Sequence, residues 1–292
     1  MYGLLIVDKP AGMTSHDVVA RVRRVSGQRR IGHAGTLDPM ATGVLVLALG
    51  AATRLIAYVQ EETRKTYLAH VQLGAISSSD DADGEILATS AVPPLTSAQL
   101  DLALDAFRGE IQQVPPMVSA LHHEGQRLYD LARRGIEVDR PARPVIVYDL
   151  ALLEYQEPTV ELTVTCGTGT YIRAIARDLG AALGCGAHLA ALRRTAVGTF
   201  TVGDAVPLAE LMDGGTTAVL RHLLPPETAV ADWLRVELDA AAVARIRNGL
   251  PVPADSAADL SRARGHAPDG SLLTLLRRDA DRWQPEKVFS WT

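Results

Sequence analysis

The residues best suited to chemistry lie in one glycine-rich stretch, residues 29–43, which reads RRIGHAGTLDPMATG. Asp38 is its single carboxylate, and Pro39 follows directly. Proline fixes its own backbone and moves the preceding residue away from helical angles, so Asp38 is predicted to lie on a stiff loop. The two arginines that begin the stretch favour an ionised carboxylate. Asp38 is therefore predicted to act as a nucleophile or base on an anionic substrate, although Leu-Asp-Pro also occurs in turns without function.

Sequence motifs longer than Leu-Asp-Pro favour a catalytic role for Asp38. The stretch around Asp38 resembles the catalytic motif of the bacterial tRNA pseudouridine synthase B family, and residues 3–15 resemble a second motif of that family. The likeness continues at Tyr67, at 114–144 and at 169–173, and it covers roughly the first three quarters of the chain. It implies an isomerase that converts the T-loop uridine of tRNA, position 55 in the tRNA convention, to pseudouridine. It implies neither a cofactor nor a metal.

The resemblance extends to two further catalytic residues. Residues 169–173 read GTYIR, which is similar to the family's third motif and makes Arg173 the expected ion-pair partner of Asp38. A guanidinium beside the carboxylate would keep it ionised and aim it. Tyr67 offers a ring that can stack on uracil and a hydroxyl that can relay a proton. The alternatives are a surface salt bridge for Arg173 and a core position for Tyr67.

The expected contacts to RNA also follow from the resemblance. Residues of the base pocket are expected to hold a uridine that has been turned out of its loop, and His33 is expected to fill or stack at the vacated place. Lys9 is expected either to support the loop of Asp38 or to meet a phosphate. The predicted substrate- and RNA-binding residues are His33, Tyr67, Tyr171, Leu192, Lys9, Arg30, Arg127 and Arg143.

The charge distribution supports binding to RNA, although the formal net charge is −5 at pH 7. Residues 18–37 contain five arginines and no acid, and residues 171–198 contain four arginines and one acid. A local basic face attracts phosphates even when the average charge is negative. The arginine clusters predicted to face the RNA together lie at 21–30, 127–143 and 173–194.

Hydrophobic periodicity predicts strands and helices that do not alternate regularly, and this favours an α+β fold. A helix capped by Ser15 and helices over 97–108 and 171–183 are predicted. The predicted strands are 4–7, 44–49, 66–73, 145–155 and 160–166. The resemblance implies a mixed, mainly antiparallel sheet of the pseudouridine synthase type with flanking helices.

The two prolines at 225–226 are the predicted linker between two domains. Residues 1–226 would form the catalytic domain, and residues 229–292 resemble a small, β-rich PUA-like RNA-binding domain. Within the smaller domain we predict strands at 234–238 and 271–277, a helix from 239 to 249, and a long flexible loop at 253–270.

Two segments show how this chain compares with the family in detail. Residues 119–144 resemble the flexible thumb that clamps the T-arm of tRNA, but the family often has lysine near the positions of His122 and His123. Residues 77–81 read SSSDD where relatives usually read TDTxD, so Asp81 matches the pattern and Ser78 departs from it. Recognition is expected to depend on the shape of the T-arm.

The cysteines and apolar runs favour a cytoplasmic protein. Cys166 and Cys185 are the only cysteines, they lack metal-ligand spacing, and they are predicted to be buried thiols. The longest apolar run is too short to cross a membrane. The predicted protein is a monomer without an obligatory protein partner. Two alternatives remain open: an RNA-binding protein that has lost the chemistry, and a guide-RNA-directed relative that acts on ribosomal RNA.

Overall fold

Two β-sheets organise the computed structural model. The structure describes residues 1–61, 63–119, 122–123, 126–127, 136, 138–254 and 260–291, with backbone only at 122–123 and 126–127. Within these residues, ten strands form the larger sheet and five form the smaller one. Two short hairpins accompany them.

The bounds of the elements are as follows. The first fourteen strands are β1 (Gly3–Lys9), β2 (Ile31–His33), β3 (Thr42–Leu49), β4 (Lys65–Leu73), β5 (Ala75–Ser77), β6 (Ile86–Thr89), β7 (Gly109–Gln113), β8 (His122–His123), β9 (Gln126–Arg127), β10 (Arg143–Gln156), β11 (Thr159–Cys166), β12 (Ala187–Val197), β13 (Phe200–Thr201) and β14 (Val206–Pro207). The last five are β15 (Leu234–Glu237), β16 (Val252–Pro253), β17 (Arg262–His266), β18 (Leu272–Asp279) and β19 (Arg282–Val288).

The helices flank these sheets. The α-helices are α1 (Ser15–Ser26), α2 (Ile56–Gln60), α3 (Ser97–Leu104), α4 (Ile172–Ala182), α5 (Leu208–Arg221) and α6 (Ala240–Arg247). Three 3-10 helices span Gly50–Leu55, Asp105–Phe107 and Pro226–Val230. No helix in the described ranges has the length and apolar character needed to traverse a lipid bilayer.

The larger sheet is mixed but mainly antiparallel. Its strand order is β14-β1-β3-β12-β4-β11-β10-β7, and only the β1–β14 and β3–β12 pairs are parallel. The central strand β12 pairs with both β3 and β4, and its register places Arg194 opposite Gly43 on one side and opposite Tyr67 on the other. This register brings the segments that carry the predicted site residues to neighbouring strands.

The pattern of buried residues along a strand shows whether one or both faces of the sheet are covered at that strand. Strand β4 alternates strictly, and its buried face begins with Lys65 and Tyr67 and continues through Leu73. In β3, by contrast, seven consecutive residues are buried, because both faces of that strand are covered. Lys65 and Tyr67 therefore project from the same face of the sheet.

The cap of helix α1 lies one residue earlier than predicted. Thr14 is the cap: its hydroxyl accepts from the backbone N–H of Asp17, and the Asp17 carboxylate accepts from the backbone N–H of Thr14. The prediction that Ser15 caps the helix is therefore wrong, because the acid that completes a capping box stands three residues after Thr14. The Ser15 hydroxyl instead exchanges hydrogen bonds with the backbone of Leu37.

Three other elements also differ from the sequence predictions. The helix predicted over 97–108 ends at Leu104 and continues as a 3-10 turn to Phe107. The segment 253–270, predicted to be a loop, contains β17, an inner strand of the smaller sheet. This strand was missed because its sequence is largely polar. The long central strand β12 was not predicted, because its two adjacent arginines suggested an exposed surface.

The smaller sheet packs against the segment that follows β3. A shared apolar cluster joins Leu55 to Val230, Leu272, Leu275 and Phe289. Polar bonds cross the same boundary: the Arg54 guanidinium donates to the Val288 carbonyl, and the Lys287 amine donates to the Arg54 carbonyl. The division into domains at 1–226 and 229–292 remains a prediction.

A glycine-to-alanine substitution tests how closely β3 and β12 approach. Gly43 has a φ of +100°, and a Cβ there would stand 2.2 Å from the carbonyl oxygen of Arg194. We expect Gly43→Ala to lower the free energy of unfolding by more than about 3 kcal/mol, because the overlap involves backbone that no rotamer change can relieve. Urea denaturation measures this loss.

Gly27→Ala is the matched control, because Gly27 also has a positive φ, +65°, but a Cβ there meets nothing within 4 Å. Its cost is expected to be about 1 kcal/mol from backbone strain. Equal losses for the two variants would contradict the close approach of the strands.

Candidate active site

A cavity of about 240 Å³ lies where the loop of Asp38, strands β4 and β12 and the start of α4 meet. Five of the residues predicted from the sequence line it: Asp38, Tyr67, Tyr171, Arg173 and Leu192. The remaining wall includes Lys65, Ser119, Thr170 and Arg194, none of which was predicted to belong to the base pocket. The cavity therefore brings together groups from segments far apart in the sequence.

The loop that carries Asp38 is fixed by hydrogen bonds on its Pro39 side. The backbone N–H of Ala41 donates to the Asp38 carbonyl at 3.1 Å, and that of Gly12 donates to the Pro39 carbonyl at 2.9 Å. The Lys9 amine also donates to the Pro39 carbonyl, at 3.2 Å, and Lys9 is fully buried. Lys9 therefore contacts the loop of Asp38 and has no surface exposed to solvent, while its role remains a prediction.

A buried arginine fixes the other side of the loop. The Arg194 guanidinium donates to the carbonyls of Gly35 at 3.1 Å, Thr36 at 3.3 Å and Val44 at 2.7 Å. Arg194 is only 1% exposed, so these three acceptors compensate for the loss of water. The loop is held between a lysine from β1 and an arginine from β12.

The Asp38 carboxylate forms an ion pair with Arg173, the second residue of α4. The distance from Oδ2 of Asp38 to NH2 of Arg173 is 3.0 Å. The other terminal nitrogen of Arg173 lies 3.4 Å from Oδ2 of Asp81 and donates to the Ser79 carbonyl at 3.1 Å. Arg173 is 3% exposed, so its guanidinium is held rigidly between the two carboxylates.

The charge prediction must be corrected for the cluster at 173–194. Arg173 and Arg194 are buried and directed at the loop of Asp38, so they do not face RNA from the surface. The two other arginines of the cluster are paired with acids: Arg177 with Asp80 at 3.1 Å and Arg193 with Asp8 at 2.7 Å. Sequence position cannot distinguish an arginine that braces a loop from one that meets solvent.

The electrostatics of the cavity follow from burial and charge. Burial raises the pKa of the Asp38 carboxyl above its ordinary value, Arg173 opposes this rise, and the charge of Asp81 adds to it. The Asp38 side chain remains 36% exposed. Burial also raises the pKa of Tyr67, against an opposing effect of Arg194, so the phenol stays neutral. A neutral phenol can both donate and accept a hydrogen bond.

Tyr171 is positioned by its backbone. Its N–H donates to the side-chain oxygen of Gln113 at 2.8 Å, and the Gln113 amide donates back to the Tyr171 carbonyl at 3.1 Å. Gln113 is buried at the end of β7, so an edge strand of the sheet sets the entry of α4. Gln113 was missed because nothing in its local sequence marks a contact 58 residues away.

The remaining predicted RNA-binding residues lie outside the lining of the cavity. His33 ends β2 and packs edge-on against His16, with ring centroids 5.1 Å apart, and burial lowers its pKa. Arg30 and Arg143 are exposed. Arg127 belongs to β9, and its side chain lies outside the described residues.

Half of the predicted thumb, 13 of its 26 residues, falls outside the described residues. The glycines at 125 and 135 bracket a run, 126–134, that the sequence predicts to be helix-like, but its first two residues form β9, which pairs with β8. The rest of that run lies outside the described residues.

The thiols and the acids of the described chain show no arrangement for a metal. No group of three or more His, Cys, Asp or Glu side chains among the described residues could hold an ion. Cys166 and Cys185 are buried and unbonded to each other, and burial raises the pKa of the Cys166 thiol to about 11.

Three family models match consecutive parts of this chain. The N-terminal domain of TruB family pseudouridylate synthase matches residues 23–172, and the tRNA pseudouridylate synthase B C-terminal domain matches 173–231. The tRNA pseudouridine synthase II C-terminal model matches 233–290. The chain therefore belongs to the TruB family of pseudouridylate synthases.

Relatives and solved structures agree with this assignment. A tRNA pseudouridine synthase B from Dehalococcoides mccartyi (strain CBDB1) is 43% identical over 99% of this chain and 97% of its own length. One from Gloeobacter violaceus (strain ATCC 29082 / PCC 7421) is 48% identical over 87% of this chain and 88% of its own. A chain of a Cbf5-Nop10-Gar1 complex aligns with a TM-score of 0.74 and 28% identity, over 99% of this chain and 85% of that one.

These comparisons confirm the family, the fold class and the reaction class predicted from the sequence. The chain is a TruB-type tRNA pseudouridine synthase, an isomerase that acts on uridine in tRNA. The roles of the individual site residues remain predictions.

Replacing Asp81 by asparagine tests the electrostatic coupling in the site. The Asp81 charge raises the pKa of Asp38, so Asp81→Asn should let Asp38 lose its proton at lower pH. We expect the acid limb of the single-turnover pH–rate profile to move to lower pH. The plateau rate should fall about 10- to 100-fold, because Arg173 loses one of the groups that position it.

Asp178→Asn is the control, since Asp178 pairs with Arg177 outside the cavity lining. Its profile should match that of the wild type. A limb that stays in place or moves to higher pH in Asp81→Asn would refute the coupling.

Proposed function

We propose that this enzyme isomerises uridine 55 in the T-loop of tRNA and that Asp38 is its essential carboxylate. The observation that carries the proposal is the ion pair between Asp38 and Arg173, 3.0 Å apart, at the wall of a cavity that also presents Tyr67. The named tRNA pseudouridine synthase B relatives, which align along nearly the whole chain, support a tRNA substrate.

The reaction requires one carboxylate in its ionised form. The bond from C1′ of the ribose to N1 of the uracil breaks, the base turns, and C1′ bonds to C5. Asp38 either attacks C1′ or removes a proton from the neighbouring sugar carbon, and both routes begin from the carboxylate. Arg173 offsets part of the pKa rise that burial causes, and it aims the carboxylate oxygen.

The cavity is proposed to receive the uracil after it is turned out of the T-loop. Its aromatic and apolar groups, Tyr67, Tyr171 and Leu192, suit the faces of a base, and a base inside a folded loop must be flipped to reach Asp38. The neutral hydroxyl of Tyr67 can relay the proton that leaves C5. His33, next to the loop on β2, is proposed to fill the vacated place.

The remaining parts of the proposal concern binding and context. Residues 1–226 are proposed to be the catalytic domain, and 229–292 a PUA-like domain that binds RNA. Residues 119–144 are proposed to clamp the T-arm, with Lys9 supporting the loop of Asp38. The enzyme is proposed to act as a monomer in the cytoplasm, without an obligatory protein partner.

Mapping the product tests the proposal directly. The wild-type protein is incubated with an unmodified tRNA transcript, and pseudouridine is located by base-specific chemical labelling. Position 55 should be the one modified site, and a transcript with cytidine at position 55 should remain unmodified. Modification elsewhere in the wild-type transcript, or none at all, would overturn the assignment of the site.

Removing the nucleophilic capacity of Asp38 should abolish the reaction and spare binding. Asparagine preserves the shape of the side chain but supplies neither a nucleophile nor a base, so Asp38→Asn should convert less than about 1% of the tRNA under single-turnover conditions. Filter binding should give nearly the wild-type tRNA affinity. Substantial turnover by this variant would remove Asp38 from the mechanism.

Binding to tRNA should depend strongly on salt, because exposed arginines meet phosphates. Arg29 and Arg30 are exposed next to the Asp38 loop. Changing each to glutamine should weaken tRNA binding and reduce the slope of log affinity against log salt by about one per arginine.

Arg108→Gln is the charge-matched control, because Arg108 is paired with Asp101 and Asp105 at the end of α3. This variant should keep the wild-type slope. A salt-independent affinity of the wild type would contradict an electrostatic interface.

A further inference from the structure

One buried cation of the cavity takes no part in the mechanism described above. Lys65 is the first residue of β4, is 9% exposed, and lines the cavity beside Tyr67 on the same face of the strand. Its amine forms no hydrogen bond or ion pair with any residue in the described part of the chain. An ammonium that lines a cavity without a protein acceptor is hydrated there, and an acceptor on a molecule that enters the cavity would replace that water.

The groups around Lys65 make an acceptor for its amine more favourable, because they add positive charge and supply no negative charge. The Lys65 amine and a terminal nitrogen of Arg194 both lie close to Gly35. A Cβ built on that glycine would be 3.6 Å from each of the two nitrogens, so two cations lie near each other beneath the loop. Burial and Arg194 lower the pKa of the Lys65 amine. The nearby Cys166 thiol supplies no negative charge near neutral pH, because its pKa is about 11.

Lys65 differs from the other buried cations of the site in its hydrogen-bond acceptors. The Lys9 amine donates to the carbonyls of Pro10 and Pro39, and Arg194 donates to three backbone carbonyls. Arg173 is shared by two carboxylates. Lys65 alone among these four cations faces the cavity without an acceptor in the described residues.

The reaction proposed for this cavity creates an anion of matching chemistry. When the C1′–N1 bond breaks, its electron pair leaves with N1, and the charge spreads over the uracil ring and its carbonyl oxygens. C5 then uses a ring electron pair to bond to C1′. Where Asp38 has attacked C1′, the carboxylate departs with its own pair; where it has removed the sugar proton, that proton is returned. The C5 proton is lost and N1 gains one, so atoms and electrons balance.

We infer that the Lys65 ammonium donates to a uracil carbonyl oxygen and stabilises the negative charge of the base while it is detached from the ribose. This inference rests on the proposed function of the cavity. Lys65 keeps its proton throughout, and it acts by electrostatic stabilisation where charge develops. Its position beside Tyr67, on the face that the base would contact, supports a role toward the base and not toward a phosphate.

The test compares substitutions of Lys65 in single-turnover reactions at saturating enzyme. Lys65→Met keeps the side-chain length and removes the charge, so it should lower the rate constant by about 100-fold, the effect of losing one such donor. The tRNA affinity should stay at the wild-type value. Lys65→Arg should restore part of the rate. Arg64→Met is the control, because it removes the same charge one residue away, on an exposed side chain outside the cavity.

A second substrate separates charge stabilisation from a structural role. In tRNA with 5-fluorouridine at position 55, the fluorine itself stabilises the detached base anion. The rate loss caused by Lys65→Met should therefore shrink at least about fivefold on this substrate. The reaction is followed by chromatography of nuclease digests, as loss of the unrearranged nucleoside.

The possible outcomes decide between distinct conclusions. An equal rate loss on both substrates, a rate within about threefold of the wild type, or a loss confined to tRNA affinity would overturn the inference. If Lys65→Met does not fold, Lys65→Leu, which likewise removes the charge and the donors, undergoes the same comparison by the same criteria. A wild-type protein that converts no uridine would overturn the proposed function together with this inference, whereas wild-type conversion with a normal Lys65 variant would overturn the inference only.

Discussion

The hydrogen bonds of the buried Arg194 guanidinium are the interaction on which the site depends. This side chain starts from the central strand β12 and reaches three carbonyls, two in the loop before Asp38 and one in β3. An uncompensated guanidinium in the interior would cost several kcal/mol, so the loop can leave this position only at that expense. The backbone of Arg194 also lies against Gly43, and this close contact couples the register of the sheet to the position of the loop that carries Asp38.

The cations of the site have separate tasks even though they lie close together. Lys9 and Arg194 donate hydrogen bonds to the two sides of the loop, and Arg173 forms ion pairs with both Asp38 and Asp81. A chain with a net charge of −5 therefore concentrates positive charge inside the pocket. The arrangement costs desolvation energy, which the rest of the fold must offset, and it suits a pocket in which negative charge develops during the reaction.

The sequence predicted what depends on local residue type. Pro39 predicted the stiff loop at Asp38. The apolar stripe predicted for α1 and the buried strand predicted at β3 agree with the observed elements. It did not predict which hydroxyl caps α1, because Thr14 and Ser15 are equally able to cap and only the Asp17 interaction decides. The burial of Arg194 depends on acceptors about 150 positions away, which no local pattern reveals.

Lys9 and Lys65 show why residue type cannot by itself assign a role. Both lysines are buried and both belong to strands of the larger sheet, so sequence and burial describe them alike. They differ in the acceptors that the fold supplies. Lys9 has two backbone carbonyls, which accept from two of the three donors of its amine. Lys65 has none among the described residues, and it lines the cavity. An acceptor on a molecule bound in the cavity would supply the partner that the described residues do not provide.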